Sequence, residues 1–227
     1  MEQGDRAGRH RYGWGMQGRH DHREARGLLL DFGGVLTTSL LEAIRRFCVE
    51  CGLEPNALLD LFRHDPAGQR LLVDVECGAI GQPEFEAGIG ELLGVDHERL
   101  VERLLGTVEP EPAILAAAER ARAAGVRTGV LSNSWGLDPF DPYAGWDLAE
   151  RFDAVVISHH TGTRKPDPAI YTLAAERLGL PCDACVFVDD LPHNLEPARA
   201  LGMSVVHKTS AGQLLADLER LLRIPLR

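Results

Sequence analysis

The sequence predicts an α/β protein: a parallel sheet covered by helices on both faces, with a helical insertion directly after the first strand. Past residue 110, short apolar runs bounded by turn residues alternate with helix-period segments, the pattern of strand–helix–strand crossovers. The interval 38–109 interrupts that alternation with mostly helical periodicity. At 227 residues, 44% hydrophobic and 26% charged, the chain is long enough to bury a core without disulfide staples.

Residues 1–26 are rich in Gly, Arg and His and lack any hydrophobic period, so they read as a disordered extension. They contain no apolar h-region of a secretion signal. His10, His20 and His22 are assigned to this polar tail rather than to a metal site. GLLLDFGGVL, from Gly27, is a buried strand running into a tight turn. Within 38–109, Leu41, Ile44, Phe47, Cys48 and Cys51 fall on one helical stripe, and Leu100, Leu104 and Leu105 on another. Further strands are expected at 126–132, 153–158, 185–190 and 203–208, separated by helices at 112–124, 168–178, 196–201 and 214–222. The division expected is therefore an extension (1–26), a core (27–37 and 110–227) and a helical cap (38–109).

The net charge is −10, of which the extension contributes +2 and the remainder −12. An acidic chain without a basic block is a poor nucleic-acid ligand. No apolar run approaches the roughly 18 residues that span a bilayer. Five cysteines, an odd number, together with the missing secretion signal point to a reducing cytoplasm. The pairs Cys48–Cys51 and Cys182–Cys185 have zinc-site spacing, but Cys48 and Cys51 fit an apolar stripe and Cys185 opens a strand, so buried packing is the better account. Trp135, Tyr143 and Trp146 suit pocket lining and loop packing equally well. Arg45 and Arg46 read as a solvated helix face.

Polar residues collect where the strands end. Asp31 ends the first, Ser132 and Asn133 the second, Asp189 and Asp190 the fourth, and Lys165 lies in the loop after the third. Singly these are weak signals, since Asp before Gly-Gly is commonly a turn former. Together they lie at the carboxyl ends of one parallel sheet, where such sheets bind ligands. Asp31, Asp189 and Asp190 bring −3 and Lys165 returns +1. Carboxylates so crowded need a compensating cation, and oxygen-only ligands suit Mg²⁺. A site neutralised in that way can accept a phosphate dianion, with Ser132 and nearby N–H groups donating to a phosphoryl oxygen. A carboxylate nucleophile forming an aspartyl-phosphate is an established covalent strategy.

The order DFGGV, LSNS, RKPDP and VDD followed three residues later by Asn resembles the haloacid dehalogenase-like (HAD) hydrolase superfamily, over about residues 27–210. RKPDPAIY and VDDLPHNLEPARALGM resemble in particular the group containing the N-terminal phosphatase domain of soluble epoxide hydrolase. The resemblance implies a Rossmann-like core with a helical cap inserted after the first motif. It implies Asp31 as nucleophile and Mg²⁺ ligand, the Gly33 carbonyl and Asp190 as further ligands, and Asp189 and Asn194 behind them. Ser132 would hold the phosphoryl group with Asn133 beside it, and Lys165 would bridge nucleophile and phosphate. The cations are 22 Arg and two Lys, so the compact ammonium at position 165 is itself a signal. Lys208 has no such case.

One position departs from the pattern. HAD phosphatases usually carry a second Asp two residues after the nucleophile, as general acid–base, and Gly33 stands there instead. Such a group is typically worth about 10²–10⁴ in rate. Either the substrate has a good leaving group or its own proton, or His159, His160 or His193 bordering the crevice substitutes, or the chain binds a phosphorylated ligand without turnover. A metal-free 2-haloacid dehalogenase is a further alternative, disfavoured because Asp189 and Asp190 would repel an anionic haloacid. The expectation is a cytoplasmic, Mg²⁺-dependent phosphatase of a small phosphorylated metabolite, with no nucleic-acid or membrane partner.

Overall fold

The computed structural model describes residues 26–227, so His10, His20, His22 and all but the last residue of the expected extension lie outside the described residues. Five strands form one parallel sheet: β1 (Gly27–Leu30), β2 (Arg127–Ser132), β3 (Ala154–Ile157), β4 (Cys185–Asp189) and β5 (Ser204–His207). Their order is β3-β2-β1-β4-β5. β1 is central and wholly buried, which is why its sequence is a continuous apolar run rather than an alternation. Gly27 is required there: a Cβ would come within 2.8 Å of Cys185 Sγ.

The chain leaves β1 toward β2 and β3, then crosses to β4 and β5 on the other side, so the direction of winding reverses between β1 and β4. Leu30 pairs with Val188, and Asp31 N donates to Val188 O at 2.9 Å. That register sets Asp31 and Asp189 side by side at the carboxyl end of the sheet, on the switch point where open α/β sheets take ligands.

Between β1 and the next core helix come five helices: α1 (Leu40–Glu50), α2 (Ala57–His64), α3 (Pro66–Glu76), α4 (Gln82–Leu93) and α5 (Leu100–Leu105). The two linkers to this insertion run together. Thr38 N donates to Glu109 O at 2.8 Å and Glu111 N to Leu36 O at 2.9 Å. The insertion has its own apolar cluster around Ile44, Phe47, Leu58, Phe85 and Leu104, which Trp135 joins from the loop after β2. Gln82 fastens the two parts further, its side chain donating to Phe140 O (3.1 Å) and accepting from Phe140 N (2.9 Å).

The crossovers carry α6 (Pro112–Ala123), the short α7 (Leu148–Arg151) and α8 (Ser158–Thr161), then α9 (Pro168–Leu178), α10 (Pro192–Ala200) and α11 (Ala211–Leu222). Successive strand residues point to opposite faces. Leu28 and Leu30 accordingly pack with Ile114 and Leu214 of α6 and α11, whereas Leu29 packs with Ile170 and Leu195 of α9 and α10. Two helices begin earlier than their periodicity predicts. α10 starts at Pro192, not Glu196, since proline is well placed where no N–H bond is needed. α11 starts at Ala211, not Leu214, behind Ser210, whose Oγ accepts from Gln213 N at 3.2 Å. Among the described residues no helix is long and apolar enough to cross a membrane.

Leu29→Ala, at a fully buried position of the central strand, is expected to lower unfolding free energy by about 2–5 kcal/mol in denaturant titration. Val49→Ala, 58% exposed on α1, should stay within about 0.5 kcal/mol of the parent.

Candidate active site

A buried ammonium between two carboxylates organises the site. Lys165 is 1% exposed, and its Nζ lies 2.8 Å from Asp31 Oδ1 and 2.7 Å from Asp189 Oδ2. Burial disfavours the charged amine, but Asp189 and Asp31 outweigh it and hold the pKa above the ordinary lysine value. The lysine arrives from beyond β3, two strands away, and Asn133 at the end of β2 fixes it. The Asn133 amide accepts from Lys165 N (2.9 Å) and donates to Lys165 O (3.0 Å), gripping the backbone of that one residue.

Each carboxylate is held differently. Asp31 caps the turn that follows β1, Oδ1 accepting from Phe32 N at 2.7 Å. Burial raises its pKa well above the carboxylate range; Lys165 opposes that shift, and Asp189 and Asp190 add to it. Asp189 is fully buried and saturated with donors: Leu191 N at 2.8 Å, Lys165 Nζ, and Asn194 Nδ2 at 3.0 and 3.1 Å from its two oxygens. Asp190 is pushed up to about 6, by burial first and then by the Asp189 charge.

Ligand oxygens of Asp31, Asp189 and Asp190 all fall within 4.8 Å of one another. With all three carboxylates ionised, one lysine would leave an excess of two negative charges, the condition that burial here resists. Asn194, 3% exposed, turns its donor to Asp189, and its buried Oδ1 has no partner among the described residues. Crowded anionic oxygens beside an orphaned amide oxygen form a hard donor set that fits Mg²⁺.

A cavity of about 500 Å³ opens over this cluster, between the sheet end and α1–α3. Asp31, Gly33, Asn133, Lys165, Asp190 and Asn194 line it. Ser132 does not: it opens onto an adjoining cavity of about 50 Å³ that shares Gly33 and Asn133 with the larger one. Its Oγ lies 2.9 Å from Tyr143 Oη, whose pKa burial pushes up to about 12. Gly33 has an ordinary φ of −67°, and a Cβ there would meet nothing closer than Leu40 Cδ2 at 3.4 Å. Position 33 therefore accepts a Cβ at ordinary contact distance, and it borders both cavities.

The expectation that three histidines border the crevice is corrected. Among the described residues only His193 lines the large cavity, and burial lowers its pKa. His159 and His160 belong to α8, which packs on α3; His159 Nδ1 lies 2.9 Å from Val75 O, and His160 is exposed.

Sequence reasoning missed Glu76 and Arg164. Glu76, buried at the end of α3, accepts from Asn133 Nδ2 (3.1 Å) and Trp135 Nε1 (3.2 Å) and pairs with Arg164. The insertion thus supplies a carboxylate to the residue that grips Lys165. Burial raises the Glu76 pKa, with Arg164 the chief opposing influence. Its only sequence signal is an acid at the end of a helical stripe. Lys208 was also passed over, although its Nζ donates to Gly34 O at 2.7 Å.

In the metal-free protein, ionised Asp190 opposes folding, because its folded pKa lies above the ordinary value. Asp190→Asn should therefore stabilise the chain at pH 7 by about 1–3 kcal/mol. The gain should vanish near pH 3, where the parent residue is protonated in both states; thermal melts at the two pH values in a chelator check it.

A haloacid dehalogenase-like hydrolase family model matches residues 25–202. Acyl-CoA dehydrogenase family member 10 of Mus musculus is 36% identical over 115 residues, 51% of this chain and 11% of the mouse protein. Bifunctional epoxide hydrolase 2 of Rattus norvegicus is 31% identical over 47% of this chain and 20% of its own length. Phosphatase MT3486 of Mycobacterium tuberculosis is 35% identical, over 54% of each chain. These matches span at most about half of the relatives' length. A structure described as a predicted HAD-like family hydrolase from Porphyromonas gingivalis superposes with TM-score 0.68 at 26% identity, over 89% of this chain and 100% of that one. A HAD family enzyme from Bacteroides thetaiotaomicron, in a magnesium complex, shares the fold with TM-score 0.63 at 22% identity, over 87% of this chain and 100% of that one. With the family model covering most of the sequence and the same parallel sheet beneath the acidic cluster, the chain belongs to the haloacid dehalogenase-like hydrolases.

Proposed function

We propose that the protein is a Mg²⁺-dependent phosphatase acting through an aspartyl-phosphate on Asp31. The observation that carries this reading is the Lys165 ammonium set between Asp31 and Asp189 at the floor of a cavity. The Mycobacterium tuberculosis relative bears the name phosphatase, which supports it. Asp31, the Gly33 carbonyl and Asp190 would hold the ion, with Asp189 and Asn194 behind them. Bound there, Mg²⁺ would offset the charge of carboxylates and phosphate.

Lys165 and Phe32 N both engage Oδ1 of Asp31, which leaves Oδ2 to attack phosphorus. The ester P–O bond breaks, and the leaving oxygen departs with the electron pair as an anion that takes its proton from solvent water. Water then attacks the aspartyl-phosphate phosphorus, releasing phosphate and restoring the Asp31 carboxylate. Lys165 neutralises Asp31 before attack and the transferred phosphoryl group afterwards. Ser132 Oγ, in the small cavity that adjoins the large one at Gly33, would hold a phosphoryl oxygen, while the Asn133 amide hydrogens stay committed to Glu76 and Lys165 O. Gly33 offers the leaving oxygen no proton. His193, its pKa lowered, suits proton acceptance from water better than donation to an alkoxide. Acidic leaving groups are therefore favoured.

The cavity wall away from the carboxylates is largely aliphatic and aromatic, with Leu41, Ile44, Leu59, Phe62, Leu72 and Trp135 on it. Sugar hydroxyls placed against that apolar part, away from Arg63, Gln69, Glu76 and Arg164, would lose water without gaining partners. The substrate class favoured is a phosphate monoester with an apolar body.

Hydrolysis of an activated aryl phosphate with Mg²⁺ tests the reading. The parent should turn over, Asp31→Asn should not, and aryl phosphates should outrun alkyl phosphates and sugar phosphates. Gly33→Asp, for which the backbone has room, should raise alkyl phosphate turnover by up to about 10²-fold. Gly33 also favours a second reading, a phosphate-ligand binder; turnover by Gly33→Asp alone would establish it. Metal-independent halide release from a haloacid would overturn both.

A further inference from the structure

Only two lysines occur in the chain, and both point inward. Lys208 follows β5 directly, and its side chain is 9% exposed. Nζ donates to Gly34 O at 2.7 Å and lies 3.3 Å from Glu111 Oε1. Gly34 belongs to the turn after Asp31, Glu111 to the linker returning from the insertion. One ammonium therefore joins the end of β5 to both segments.

The turn it holds has little freedom elsewhere. Gly34 N donates to Thr37 Oγ1 at 3.1 Å. At φ +76° a Cβ on Gly34 would stand 2.3 Å from Asp190 Oδ2, so the backbone passes against that carboxylate with no clearance. The same end of β5 also grips the acid pair: Lys208 N donates to Asp189 O and His207 Nε2 bonds Asp190 O, each at 3.0 Å. Thr37 N closes the turn onto Phe32 O at 3.1 Å, and the Gly34 carbonyl is the handle by which the end of β5 reaches it.

We propose that Lys208 is a positioning residue whose ammonium pins the Gly34 carbonyl and the return linker to the end of β5, fixing the Asp31–Gly34 turn against Asp190. A compact ammonium suits this narrow slot, where the planar fork of arginine would need more width. The catalytic consequence rests on Asp31 being the nucleophile; the mechanical one does not.

The test is amide hydrogen exchange on the metal-free full chain, followed peptide by peptide, alongside aryl phosphate kinetics. Lys208→Met and Lys208→Gln should exchange residues 33–37 about tenfold faster or more than the parent, while 127–132 in β2 are unchanged. Their kcat should fall about tenfold with KM within about twofold, the mark of a misplaced reacting group rather than lost binding. Parent-like exchange in both variants, or parent-like kcat despite faster exchange, overturns the proposal. If neither variant folds, Glu111→Gln decides by the same criteria, with a severalfold acceleration expected. Turnover surviving in Asp31→Asn alongside accelerated exchange would sink the nucleophile assignment and leave the pin standing. Loss of turnover in Asp31→Asn alongside parent-like exchange in the Lys208 variants would do the reverse.

Discussion

Two strands that pair in register at the centre of a parallel sheet bring two aspartates together, and the rest of the site follows from keeping them there. Asp31 and Asp189 are buried and adjacent, an arrangement that repulsion and lost hydration would make prohibitive without a cation between them. Lys165 is that cation, carried in on a loop from the far side of β2. A long flexible side chain must be aimed to serve this purpose. Asn133 aims it by closing both hydrogen-bonding groups of its backbone, and Asn194 braces Asp189 from behind.

The insertion completes this arrangement instead of merely covering it. Glu76 bonds Asn133, Trp135 and Arg164, so a residue of α3 helps to hold the loops that hold the lysine. Its buried carboxylate accepts from two N–H groups and faces the Arg164 guanidinium, partners that lower the cost of a buried charge. The apolar cluster of the insertion likewise takes in Trp135 from the core side. Cavity, insertion and Asp31 are thereby linked through a few short polar contacts.

The strands, the four long core helices and the helical character of 38–109 were legible because they depend on local pattern: apolar runs, turn residues, and polar residues where a run stops. Asp31 and Asp189 stand out in that way, and Lys165 by the rarity of lysine in the chain. What stayed hidden depends on distance along the chain. Lys208 meets Gly34 across 174 positions, and Glu76 meets Asn133 across 57, and neither Lys208 nor Glu76 sits in a motif. His159 and His160 failed for a different reason: a run of four residues forms α8 where a loop was expected, and it packs on α3 away from the cavity lining. The cysteine pairs part company in space as their packing implied, Cys48 in the insertion's cluster and Cys185 in the core's.

Trp135 has a consequence of a different kind. Its ring is buried among insertion residues, its indole N–H is bonded to Glu76, and its backbone belongs to the loop that leaves β2. The polarity around that indole is thus set by both parts of the molecule at once. The protein carries a native optical probe at the seam between them, and among the described residues Trp146, packed on Phe32 inside the core, provides the reference chromophore.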